Sequence, residues 1–139
     1  MDKEKLLDAL DNEKNESLIN YTSQKLKEET NEILGELKLD ESDIMRLTEK
    51  LKNYRYVDEL NILDEGRYIR WINLKITSDF SLNTGAILCK IQFHDNGAYL
   101  LCKTYTKKCF NLKFEEALVF MKLNNEELIL LSALDHLSK

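Results

Sequence analysis

At Gly66 the apolar residues change their period, and that change constrains the fold more than any other feature of the chain. Upstream they recur three and four apart, the repeat of a helix face; downstream they alternate, the repeat of a strand. The pattern predicts an α+β protein with a helical N-terminal region over residues 1–53, followed by a β domain with a C-terminal helix over 54–139. A chain of 139 residues with 43% hydrophobic content has the material for a real core, so general disorder is excluded.

In the helical region, Leu6, Leu7 and Leu10 make one apolar stripe. Ile19, Leu26 and Ile33 recur at intervals of seven, the spacing of a coiled-coil seam. The intermediate seam positions fall on polar residues such as Thr22 and Glu29, so this helix needs a partner surface. Ile19, Leu26 and Ile33 are therefore the expected protein-interface residues, serving oligomerisation or docking; the alternative is that the stripe packs on the protein's own sheet. Gly35 lies near the end of this helix. A cleaner helix is expected in "LDESDIMRLTEKLKNY", with Asp40 as N-cap and Glu41 and Asp43 placing negative charge in its first turn.

Strands are expected at 67–74, 86–94, 98–105, 109–114 and 117–122, with room for a short one at 54–57. In "DEGRYIRWINLK", Gly66 permits a turn, Ile69 and Trp71 enter the core, and Arg67 and Arg70 decorate the surface. Asn96-Gly97 is a strong hairpin signal, because a two-residue turn there needs positive φ at both positions. Such a turn sets Phe93 opposite Leu100, Ile91 opposite Cys102 and Cys89 opposite Thr104 on an inward face. On the outward face it sets Lys90 against Lys103, a pairing that is mildly destabilising without a nearby anion. Five short strands ending in a helix predict a small five-stranded antiparallel barrel or strongly bent sheet of the SH3, Tudor or Sm-like kind; an open sheet covered by the helices is the alternative. The last segment, "NNEELILLSALDHLSK", reads as a helix opened by an Asn124–Glu127 capping box.

The net charge of −5 conceals an uneven distribution. Residues 1–60 hold 16 acidic and 10 basic side chains, a balance of −6. Residues 67–113 hold 8 basic and 2 acidic, a balance of +6, and residues 114–139 hold 5 acidic and 2 basic, a balance of −3. Within the basic middle, Arg67, Arg70, Lys90, Lys103, Lys107 and Lys108 interleave with Tyr68, Trp71, Tyr99, Tyr105 and Phe110. Lysines and arginines neutralise phosphates and exposed aromatics stack on bases, so these six residues are the candidate nucleic-acid site. Against that, aromatics in an alternating pattern are more often core; an aromatic cage for methylated lysine would require two to four of Tyr68, Trp71, Tyr99 and Tyr105 to cluster at one barrel mouth.

Catalytic chemistry finds little to work with. His94 falls at a hairpin end and His136 near a helix C-terminus, and no thiol lies at a helix start that would lower its pKa. The carboxylate pairs Glu115-Glu116 and Glu126-Glu127 occupy ordinary solvated positions. Nucleotide-binding and zinc-protease motifs are missing. The three cysteines, Cys89, Cys102 and Cys109, are odd in number and lack C-x-x-C spacing, which predicts reduced thiols in a reducing compartment. No catalytic residue, metal or cofactor is expected. Nor is a membrane partner, since no apolar run approaches the roughly 20 residues that span a bilayer.

The segments "GRYIRWINLK", "LNTGAILCKI", "DNGAYLLCK" and "ALVFMKLNNEELILLSALDHLSK" resemble a group of small uncharacterised proteins of nucleocytoplasmic large DNA viruses, over residues 54–139. The resemblance implies a viral protein acting in the host cytoplasm of an infected cell or in the virion interior. The expected function is a non-enzymatic interaction or assembly module that binds a protein partner, itself included. A nucleic-acid-binding accessory factor working through the basic face is the alternative.

Overall fold

The computed structural model describes residues 3–75 and 80–138. The chain divides into two compact units, one of residues 54–122 and one that combines 1–53 with 123–139.

The discontinuous unit is helical. It contains α1 (Lys3–Asp11), a 3-10 helix (Glu13–Leu18), α2 (Ser23–Gly35), α3 (Glu41–Lys50) and α4 (Asn125–Leu137). The helical stretch is interrupted where short polar side chains compete for the backbone. Asn12 caps the 3-10 helix by accepting from the Lys14 amide at 3.0 Å, and the Thr22 hydroxyl starts α2 by accepting from the Lys25 amide at 3.1 Å. Asp40 caps α3 through the Asp43 amide at 2.9 Å, and the Asn124–Glu127 capping box opens α4. Ala9, Leu18, Leu26, Leu123, Leu130 and Leu131 form the core of this unit. Asn15 is buried without penalty because its amide donates to the Ala9 carbonyl at 2.9 Å and to Glu126 at 3.2 Å.

The continuous unit is a six-stranded antiparallel sheet. Its strands are β1 (Tyr54–Val57), β2 (Tyr68–Asn73), β3 (Ala86–His94), β4 (Gly97–Lys103), β5 (Cys109–Lys113) and β6 (Ala117–Lys122), in the order β1-β6-β2-β3-β4-β5. The last strand inserts between the first two because "ALVFM" is apolar at every position. These five of its six residues are buried, which suits a central strand and no edge. Val57, Ile69, Trp71, Leu88, Leu100, Cys102, Val119 and Met121 share one face and make the core.

The expected five-stranded barrel is not formed. The sheet has six strands, β1 supplying the sixth, and β1 and β5 are its two edges with no pairing between them, so the sheet stays open. Periodicity identifies strands but carries no term for which edges meet, and closure depends on that meeting. Bending is nevertheless strong. In the sheet β3 and β4 separate β2 from β5, three spacings of about 4.8 Å each, yet the rings of Trp71 and Phe110 lie 5.3 Å apart across the concave face.

Hairpin register also departs from expectation. Asp95 and Asn96 form the turn, neither with positive φ, and Gly97 beyond them takes φ +135°. His94 therefore pairs with Gly97 instead of Tyr99, a slip of two that preserves which residues share a face. A bulge between Leu88 and Lys90 then turns Leu88 inward and leaves Cys89 exposed. Lys90 pairs with Leu101 and Lys103 with Ile87, so the two lysines are not directly opposed.

Candidate functional site

The six basic residues singled out by the sequence have different fates. Arg67 is committed to structure: it pairs with Asp64 at 3.3 Å and donates to the Lys122 carbonyl. Arg70 donates to the Asn83 carbonyl at 2.7 Å. It also lies beside Tyr54, whose phenol is raised above its ordinary value by burial, an effect that the arginine's charge opposes. Lys90, Lys103, Lys107 and Lys108 remain exposed and make no ion pair among the described residues. Lys103 ends β4, and Lys107 and Lys108 follow in the tight turn to β5, where Lys107 adopts φ +68°. Lys113, at the far end of β5, adds a fourth lysine to this hairpin and pairs loosely with Glu116 at 3.7 Å. No acidic residue occurs from Asn96 to Phe114.

The interleaved aromatics do not converge. Trp71 faces the core, while Tyr68, three residues earlier, occupies the opposite face and donates from its hydroxyl to the Thr84 carbonyl at 2.7 Å. Tyr99 lies edge-on to His94 with ring centroids 5.0 Å apart, and Tyr105 is 94% exposed in the β4–β5 turn. The helical seam is likewise divided. Leu26 is buried in the helical core, Ile33 is half-buried on α2, and Ile19 lies beyond the 3-10 helix at 40% exposure.

What the sequence did not single out is a cleft beside β5. It measures about 550 Å³, and the ten described residues that line it carry no charge. Trp71, Phe110 and Leu112 supply its apolar surface, and Asn73, Asn83 and Asn111 bring amides to it. One wall is β5 itself. The other is the segment 81–85, held against β2 by an isolated bridge between Leu82 and Ile72, by the Asn83 amide donating to the Trp71 carbonyl at 2.9 Å, and by the Tyr68 and Arg70 bonds. At Gly85 (φ +111°) a Cβ would lie 2.5 Å from the Tyr68 ring, so this wall closes in only with glycine there. Periodicity could mark Trp71 and Phe110 as core, but nothing local brings 81–85 over them.

Among the described residues β5 pairs with β4 alone, so its other edge carries backbone groups that no described strand pairs, with Cys109 and Asn111 exposed. The three thiols are free; Cys89 and Cys109 are exposed, and burial, with the Cys89 thiol adding to it, pushes the Cys102 thiol up to about 12. Both histidines are exposed. Among the described residues no group of His, Cys, Asp and Glu side chains is placed to hold a metal ion, and no helix is long and apolar enough to cross a membrane. Comparison with known protein families, curated proteins and solved structures found no match.

Proposed function

We propose that the protein is a non-enzymatic interaction module whose open β5 edge takes an extended, acidic segment of a partner protein. The observation that carries this reading is the edge of β5 that no described strand pairs, next to the exposed and unpaired Lys103, Lys107 and Lys108 in a stretch, Asn96 to Phe114, without an acidic residue. An open edge offers main-chain hydrogen bonds to any strand. Lysines there discourage pairing with a second copy of the same basic hairpin and favour an acidic strand. The helical unit adds a docking face through Ile19, while Leu26 serves its own core. The setting, the cytoplasm of an infected host cell or the virion interior, rests on the viral resemblance.

Single-stranded nucleic acid is the second reading, favoured by Lys90, Lys103, Lys107 and Lys108 standing exposed. It is the weaker one, because Tyr68 and Trp71 are occupied in packing, and of the interleaved aromatics Tyr105 alone, between Lys103 and Lys107, stands exposed, one ring where a strand of bases needs several.

The test is fluorescence anisotropy of the full chain with three probes across a salt series: single-stranded RNA, duplex DNA, and an acidic β-prone peptide of about nine residues. Peptide binding that weakens when Lys107→Glu and Lys108→Glu are combined is expected. Salt-steep binding of nucleic acid with no peptide binding would transfer the function to the accessory-factor reading.

A further inference from the structure

We infer that the cleft over Trp71 and Phe110 is a specificity pocket that takes one tyrosine side chain from the strand added to β5. The inference rests on the edge-docking reading and deepens it. Three residues of β5, Phe110, Asn111 and Leu112, line the cleft, so a strand laid along that edge passes its mouth. Alternate side chains of an added strand point the same way, and those facing the concave side meet the cleft.

The lining selects among side chains. A lysine or glutamate would lose its hydration and find no counter-charge on any of the ten described lining residues. A small aliphatic group would leave most of about 550 Å³ unfilled and forfeit contacts with the floor. An aromatic ring fills more of the volume and adds to the existing Trp71–Phe110 pair, whose planes are tilted by 44°. The amides then favour a ring with a polar tip. The Asn73 carbonyl oxygen already accepts from the Lys75 amide, which leaves its NH2 to donate, and Asn111 makes no side-chain hydrogen bond among the described residues. A phenol can both give and receive at such groups. The walls are fixed in advance by the bonds that hold 81–85, so little ordering is needed on binding.

Trp71 is the only tryptophan in the chain, so its emission reports entry into the cleft without a label. The experiment titrates full-length protein with acidic, alternating peptides of about nine residues. They carry Tyr, Phe, Ala or Lys at each inward position in turn and are read by calorimetry and by Trp71 fluorescence. One tyrosine position is expected to bind about tenfold tighter than its alanine counterpart, the size of an aromatic anchor. Phenylalanine should fall between them and lysine bind worst, with Trp71 emission shifting for the aromatic peptides only. Thr84→Trp, which fills the cleft from an exposed rim position, should abolish the tyrosine advantage, so that the tyrosine and alanine peptides bind it alike by calorimetry. Equal binding of tyrosine and alanine peptides at every position would overturn the pocket while leaving the docking edge in place. Binding of none of them would overturn the docking edge itself, and the pocket with it.

Discussion

Gly85 shows how one backbone atom shapes the candidate site. Its φ of +111° is disfavoured for any side chain, and the Tyr68 ring occupies the space a Cβ would need. Gly85→Ala should therefore cost about 2 kcal/mol or more in a urea melt, and it should disturb the Tyr68 hydroxyl bond that holds the wall of the cleft. A cost below about 0.5 kcal/mol would mean that the ring moves aside freely. The cysteines divide just as sharply. Cys102 is fully buried with its pKa pushed up to about 12, while Cys89 and Cys109 are exposed. A thiol reagent at neutral pH should label Cys89 and Cys109 in the folded protein and Cys102 only after denaturation, as mass mapping would show. That division was half legible. Alternation placed Cys102 inward, but it placed Cys89 inward too, because a bulge adds a residue that no period can announce.

Elements whose signals are local are legible in the sequence. Asp40 is an N-cap because its side chain needs only the amide of Asp43, three residues on, and the Asn124–Glu127 box closes over the same span. Asn-Gly marks the hairpin but not its register, which lies two residues from the expected one, since the dipeptide names a turn without saying which pair sits at its tip. The cleft depends on residues from β2, β5 and 81–85, brought together by sheet bending, and so had no local signature. Asp40 also carries a pH dependence. The Asp43 amide and the Ser42 hydroxyl hold its carboxyl below the ordinary 3.8. A group whose folded pKa is lowered stabilises above its unfolded value and loses that contribution as pH falls through the folded one. Protection of the Asp43 amide should accordingly fade as pH drops from near 3.8. Asp40→Asn keeps the cap but removes the titration, so its amide protection should flatten with pH. Equal acid sensitivity in the two proteins would place the effect elsewhere.

At the scale of the whole chain, the two units interlock in sequence: 54–122 is inserted between the segments that form the helical core. Leu123, Leu130 and Leu131 come from the C-terminal end, and Ala9, Leu18 and Leu26 from the N-terminal end. The Glu126 bonds to Asn12 and Asn15 tie the ends further. A chain that stops after Lys122 would remove three of the core leucines and leave the buried Asn15 with one hydrogen bond fewer. Each leucine withdrawn forfeits about 2 kcal/mol of burial, more in sum than a small helical unit can spare. Isolated helices of the lengths of α1 and α2 are marginal in water, so both should open once their partner is gone. Residues 54–122 hold their own hydrogen-bonded sheet and apolar core, drawn from no residue beyond Lys122. Amide exchange on the 1–122 protein should therefore show residues 3–35 unprotected while β2, β3, β4 and β6 retain protection. Persistent protection in α1 and α2 would show that the N-terminal segment folds without α4 and that the leucine core is dispensable to it.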